Sequence, residues 1–452
     1  MPLVVKNNMQ AANTLNTLNK NEKDRMKSLK EVSSGMKINS AGDDPSGMSI
    51  SERMRVQIRA LDQDNQNTQN GNSMMKVAEG AVSSTVDILR TLKEKCINAA
   101  NDTNTDDDRA TIQKEMDEMV DQINDNANAQ YNGKILMSGM YNNKVADTNK
   151  GTSSTYANTA FDFGAPTTNP ATVKLTDLKD RNGGAVGVLP TDWMTVSYVK
   201  DGKTYQNTMR VGDNRFQDIF NWVPANTDME VYTGVDPLPG TTDPDWSDVG
   251  VDQYGHKVHT PDGQTAMTIR AREGGTNGQV SGVTFCLTDS RGNIKKSQNN
   301  MFDKFNMTVR AQDPTPDNAM VFQIGTRSNQ AVKVGFTDMH AKALGMMGND
   351  SKAIQVTTRD RANAAINVIE NALTMCLDQQ TVLGAAQARL QFTSANIITA
   401  SENTQNAEST IRDADMAKSM TDYTKSNILT QSAQAMLAQA NQSSSGVLSL
   451  LQ

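Results

Sequence analysis

"GMKINSAGDDPSGMSISERMR", residues 35–55, places two adjacent carboxylates between glycines and directly ahead of a proline. Asp43 and Asp44 could be half of a catalytic or metal-binding pair, or the start of a helix; their flanks decide. Gly35 closes a run with helical spacing, as a glycine just past a helix end does. "KINSAG" (37–42) then reads as a short connector. Asp44 followed by Pro45 is the favoured order of an N-cap and a first helical residue. The cap oxygen accepts a free backbone N–H, and proline lacks the N–H that would be orphaned there. The stretch is therefore read as a joint between two helices.

Helical spacing extends outward from that joint on both sides. Ala11, Leu15, Leu18, Leu29, Val32 and Met36 precede it, with Glu22 and Arg25 interrupting the stripe. Ile50, Met54, Ile58 and Leu61 follow, and the pattern weakens through "DQDNQNTQNGN" (62–72). It returns at Met75, Val82, Val86, Leu89 and Cys96. A third helix is predicted over about 108–128, with Ile112, Met116, Met119 or Val120, and Ile123 on one face. From about residue 360 the style repeats with Ala365, Ile369 and Leu373, then Ile411, Met420, Leu429, Met436 and Leu437. This heptad-like pattern with short side chains suits closely bundled helices. Helices with so few large apolar residues need partners. The economical solution pairs the two ends of the chain, although an ordinary soluble bundle would share the composition.

The middle is different in kind. Residues 1–130 contain no Phe, Tyr, Trp or His, whereas ten of the twelve prolines and all three tryptophans fall between 166 and 316. "WMTVSYVKDGKTYQNTMRV" (193–211) is two alternating strands around Asp201-Gly202, a strong hairpin signal. "FQDIFNWV" (216–223) reads as a short helix and "VFQIGTRSNQAVKVGF" (321–336) as a second hairpin. The expected class is mostly α with a β-rich insert. Long terminal helices pair into a coiled-coil or helical-bundle rod, and the central outer domain is α+β or β.

The bulk numbers exclude several classes. A net charge of −7 with no clustered basic face argues against nucleic acid. No apolar run approaches the roughly 20 residues of a membrane span. The N-terminus shows no secretory signal, so cytoplasmic is the default from these features alone. Three scattered cysteines, Cys96, Cys286 and Cys376, make neither a disulfide scaffold nor a zinc site. In "NDTNTDDDRATIQ" (101–113), Asp102, Asn104 and Asp106 match positions 1, 3 and 5 of a calcium loop. Asp107 and Gln113 replace the required Gly and Glu, so a polar turn into the next helix is the better reading. Asp243, Asp245 and Asp248 lack the rest of a loop, and His256 and His259 lack further ligands. HExxH, GxGxxG, P-loop and GxSxG motifs are missing. The expectation is no enzyme, no metal and no cofactor.

With these parts in view, the chain resembles the bacterial flagellins. The motifs are "SSGMKINSAGDDPSG" (33–47), "NAANDTNT" (98–105), "QYNGKIL" (130–136), "QIGTRSNQ" (323–330), "DMHAKALG" (338–345), "ESTIRDADMAKSMTDYTKSNILTQSAQAMLAQANQ" (408–442) and "VLSLL" (447–451). They cover roughly the first 140 and last 125 residues, in order. The resemblance implies a self-assembling subunit of an extracellular flagellar filament. Residues 1–44 with 412–452 would form an inner coiled coil, disordered in the monomer. Residues 45–145 with 318–411 would form a helical rod with a β-hairpin, and 146–317 an outward-facing variable domain. Inner contacts are assigned to Leu15, Leu18, Leu29, Val32, Leu429, Met436, Leu437, Leu448 and Leu451. The rod seam is assigned to Met54, Leu61, Leu89 and Leu92, and the inter-domain connector to Gly35, Asp43, Asp44 and Pro45.

The resemblance also replaces the cytoplasmic default with export, unfolded, through the flagellar type III apparatus without a cleaved signal. Expected partners are other copies of the chain, an export chaperone on the C-terminal helix, a cap complex and hook–filament junction proteins. Many flagellins activate an innate-immune receptor through a Gln-Arg-x-Arg-Glu-Leu helix motif. Here Arg90, Thr91, Lys93, Glu94 and Lys95 stand in that region, with Thr91 for the first Arg and Lys95 for the Leu. Weak or altered activation is the expectation. The rival readings are a hook–filament junction protein, a flagellin-like filament protein with an enzymatic insert, and a non-flagellar coiled-coil adhesin.

Overall fold

In the computed structural model, residues 8–145, 151–163, 170–221, 228–231, 248–252, 256–260 and 265–450 are described, side chains excepted at 221 and 443–450. Seven helices are described: α1 (Met9–Ser34), α2 (Pro45–Ala99), α3 (Asp106–Ala127), α4 (Phe216–Asn221), α5 (Lys296–Phe302), α6 (Arg359–Arg412) and α7 (Met416–Leu450). Each long helix begins or ends on a local device. Asn8 accepts the Ala11 N–H at 3.0 Å to open α1. Gly35, at φ +70°, ends it by donating to Glu31 O. Thr105 and Asp108 form a reciprocal capping box on α3, whose first turn carries three aspartates.

The weakened pattern at 62–72 does not break α2, which is one helix of 55 residues. Its polar side chains bond along the helix instead of competing with it. Gln63 Nε2 donates to Asn67 Oδ1 at 3.2 Å, and buried Thr68 Oγ1 donates to Asp64 O at 2.7 Å. Buried Gly71 leaves no room for a side chain, because a Cβ there would stand 2.9 Å from the Phe322 ring. α3 runs from Asp106 to Ala127, one to two residues off the sequence estimate, and Val120 rather than Met119 is the buried member of its stripe.

The chain divides into two compact units. One holds residues up to 69, 323–330 and 392 onward; the other holds 70–322 and 331–391. Two of these borders fall inside α2 and α6.

In the second unit, Met75, Val82, Val86, Leu89, Leu92 and Cys96 of α2 are buried, as are Met116, Val120 and Ile123 of α3. Val368, Ile369, Ala372 and Cys376 of α6 are buried in the same unit. Its β part contains a four-stranded antiparallel sheet ordered Phe305–Val309, Thr155–Asn158, Met267–Ala271, Met229–Val231. A three-stranded sheet is ordered Val280–Thr288, Trp193–Lys200, Lys203–Arg210. Side chains from both, among them Tyr156, Ile269, Val196 and Phe285, share one core with Phe302. The 193–210 hairpin turns at Asp201 and Gly202, both at positive φ. The β part packs directly on the helices. A Cβ on Gly282 would stand 2.5 Å from Val368 Cγ2 of α6, and one on Gly202 would stand 2.6 Å from Lys352 O. Within this unit the β part thus meets α6 and the 348–353 turn through backbone approaches that only glycine permits.

Candidate assembly interface

The joint read from "GMKINSAGDDPSG" is built from two chain segments in the first unit. Asp43 Oδ2 accepts the N–H groups of Asn39 (3.2 Å) and Ser40 (2.9 Å) and the Ser40 hydroxyl (2.9 Å). Those bonds, led by the Ser40 hydroxyl, hold its carboxyl below the usual range. Asp44 Oδ1 accepts from Ser46 and Gly47 N–H, capping α2 ahead of Pro45. The two aspartates thus have different tasks: one folds the connector, the other starts the helix. Neither faces a third acid in a group able to hold a metal, and no such group exists among the described residues.

The second segment is the break between α6 and α7. Lys37 N–H donates to Arg412 O at 2.7 Å, and Ala414 N–H donates to Gly35 O at 3.0 Å. Met36 and Asp413 are therefore partners in an isolated antiparallel bridge. Asp415 then caps α7 by accepting from Ala417 (3.0 Å) and Lys418 (3.2 Å). The buried Arg412 side chain spans the joint. Its Nη1 is 2.6 Å from Glu52 Oε1 and 3.4 Å from Ser51 Oγ, and Nε is 3.3 Å from Met36 Sδ. Sequence spacing did not single out Arg412; the available signal was a cation in the last turn of a long helix beside "DAD".

Beyond the joint α1 and α7 run antiparallel. Asn8 Nδ2 donates to Ala440 O at 3.2 Å and Asn21 Nδ2 to Leu429 O at 3.3 Å. The residues buried in this pair are small: Ser28, Ser419, Thr430 and Ala433. Leu18, Val32 and Leu437 are half-buried. Leu15 (46%), Leu29 (48%), Leu429 (43%) and Met436 (59%) keep much of their surface exposed. Met9, Met26, Met416, Met420 and Ile428 are exposed as well. Leu448 lies in α7 without a described side chain, and Leu451 is outside the described residues. At ~100° per residue, Leu15, Met26 and Leu29 fall within about 60° of one another on α1. That is an apolar stripe that the described residues of this unit leave largely uncovered.

The comparisons decide what such a stripe belongs to. Residues 5–142 match the bacterial flagellin N-terminal helical region, and 366–451 the bacterial flagellin C-terminal helical region. A flagellin of Clostridium tyrobutyricum is 31% identical over 441 residues, covering 97% of this chain and 99% of the relative. The chain belongs to the bacterial flagellins. A Bacillus subtilis flagellin is 28% identical over 451 residues, with 99% of each chain covered. Among solved structures, FliC from Burkholderia pseudomallei aligns with 71% of this chain at 17% identity and a TM-score of 0.25, too distant to bear on the fold.

This flagellin is a structural subunit of the bacterial flagellar filament, an extracellular polymer. Relatives that span its whole length are flagellins, which sets aside the hook–filament junction and adhesin readings. No described helix is long and apolar enough to cross a membrane.

The remaining assigned residues fall in two places. Leu61, Leu89 and Leu92 are buried and Met54 is half-buried. Leu61 and Met54 belong to the first unit, Leu89 and Leu92 to the second. In the receptor-like region of this flagellin, Arg90 pairs with Asp87 at 3.0 Å, Lys93 with Glu370 at 3.3 Å and Lys95 with Glu115 at 2.7 Å. Thr91 bonds back to Asp87 O, and Glu94 is exposed. The cysteines are free. Burial pushes the Cys96 and Cys376 thiols up to about 12, which makes them poor nucleophiles.

Proposed function

We propose that this flagellin polymerises through the apolar surface that α1 and α7 leave uncovered. The observation that carries the reading is the inversion of the usual order: the buried residues of the helix pair are small, while Leu15, Leu29, Leu429 and Met436 stay largely exposed. A helix pair so arranged gains most of its burial from further copies. Ordering of residues 1–44 and 412–452 is then coupled to stacking, which keeps the free subunit soluble. Leu15, Leu18, Leu29, Val32, Leu429, Met436, Leu437, Leu448 and Leu451 are the assigned inner contacts. Met54, Leu61, Leu89 and Leu92 hold the rod (45–145 with 318–411), and Gly35, Asp43, Asp44 and Pro45 join the layers. Contacts that repeat head to tail without closing give an open helical polymer.

The same reading extends to the subunit's route and surroundings. The chain passes unfolded through the flagellar export apparatus. A cytoplasmic chaperone shields the exposed face of α7 before export, and a cap complex guides its deposition at the tip. Residues 146–317 face the medium as the outer domain of a structural subunit. Thr91 and Lys95 weaken the innate-immune receptor motif.

The test is reassembly. Purified filaments are dissociated by heat or acid, returned to neutral conditions with seeds, and imaged by electron microscopy. Long filaments are the expected result; persistent monomer, or closed rings, would sink the reading.

A further inference from the structure

We infer that Arg412 is the positioning residue that fixes the direction in which the α1/α7 pair leaves the rod helices, and so the helical form of the filament. This rests on the filament reading above. Two chain breaks sit side by side at this level. α1 stops at Gly35 and α2 starts after Asp44, while α6 stops at Arg412 and α7 starts after Asp415. Among the described residues, two main-chain hydrogen bonds join the breaks, Lys37 N–H to Arg412 O and Ala414 N–H to Gly35 O. Two bonds leave a hinge free to rotate about its own axis.

The Arg412 side chain removes that freedom by adding a third, off-axis anchor. It leaves the end of α6, touches Met36 in the first connector, and ends on Ser51 and Glu52 in the first turns of α2. The Arg412 side chain is 9% exposed, so most of its surface is packed against protein. Its anchor is itself braced, since Glu52 also meets Arg55 at 3.6 Å and Arg55 meets Glu408 of α6 at 3.8 Å. The contacts reach two other segments, the 35–44 connector and α2, from one planar fork, which a lysine cannot reproduce. In a helical polymer a small change of angle at this joint repeats at every subunit. The readout of the clamp is therefore filament shape as much as filament yield.

The experiment compares full-length wild type with Arg412→Gln, Arg412→Lys, Glu52→Gln and the swapped pair Glu52→Arg/Arg412→Glu. Each is measured for monomer unfolding midpoint, seeded elongation rate and filament waveform by electron microscopy. Arg412→Gln and Glu52→Gln are expected to keep the main unfolding transition, to elongate about tenfold more slowly, the scale of one charge-assisted contact, and to change helical pitch. Arg412→Lys should fall between them and wild type, and the swap should recover pitch toward wild type. Wild-type rate and waveform in both glutamine variants would overturn the inference, as would a pitch change that the swap leaves untouched. If wild type itself fails to elongate, the filament reading falls; if wild type elongates and the variants match it, only the inference does.

Discussion

Asp44 Oδ1 accepts the backbone N–H of Gly47 at 3.0 Å, and the same glycine has no room for a side chain. A Cβ on Gly47 would overlap the Asp44 carboxylate and stand 2.6 Å from Ile38 Cδ1. Cap and glycine are thus one device that starts α2. Removing the cap as Asp44→Ala should cost about 1 kcal/mol and slow seeded elongation while abolishing no reaction. Gly47→Ala, which keeps the cap but crowds it, should impair the joint through Ile38. Circular dichroism melts with an elongation assay check both, and an Asp44→Ala protein with wild-type melting and elongation would contradict the assignment.

His340 gives a pH prediction in the second unit. Its Nδ1 is 2.6 Å from Asp338 Oδ1, and that hydrogen bond raises its pKa above the ordinary 6.5, against the desolvation that opposes it. A raised folded value means the stabilisation is fully present below pH 6.5 and is lost as pH climbs through the folded value. The loop it anchors also donates from Ala341 N–H to Asn124 Oδ1 on α3. Melting midpoints should therefore fall from pH 6 to pH 8.5, with a shallower fall in His340→Gln. An NMR titration of the imidazole should place its midpoint above 6.5.

The sequence reading reached as far as local rules reach. Gly35, Asp44-Pro45, the Asp201-Gly202 turn and the apolar stripes of α1, α2 and α3 each depend on neighbours within a few residues. α2 escaped it at 62–72 because Gly71 is explained by Phe322, some 250 residues away in sequence. Arg412 escaped it because its partner Glu52 lies 360 residues earlier. The insert looked separable by composition, yet Gly282 and Gly202 bring its sheet onto α6 and the 348–353 turn. Which side of α1 faces α7 was also hidden, since small polar residues at the seam carry no periodic apolar signal.

Receptor recognition makes a third prediction, from Thr91 and Lys95. Restoring the motif with Thr91→Arg, Lys93→Arg and Lys95→Leu should raise receptor activation in a cell reporter assay. The Lys95–Glu115 and Lys93–Glu370 pairs are partly exposed, so losing or changing them should cost at most about 1 kcal/mol. Unchanged signalling by a well-folded triple variant would remove these three positions from the receptor motif.

Leu89 and Leu429 separate the two kinds of apolar contact. Leu89 is fully buried in α2, whereas Leu429 is 43% exposed on α7. Leu89→Ala removes packed atoms and leaves a cavity, so it should destabilise the monomer by roughly 2–5 kcal/mol. Leu429→Gln or Met436→Gln exchanges exposed apolar surface for polar surface, and surface changes of that kind stay within about 0.5 kcal/mol in the monomer. In the filament the same glutamine would be buried against another copy without its hydrogen bonds, which costs far more. The expected pattern is a lowered unfolding midpoint for Leu89→Ala, and a near-normal midpoint with failed sedimentation of polymer for the Leu429 and Met436 variants. Normal filament yield from a Leu429→Gln/Met436→Gln double variant would remove these side chains from the assembly surface.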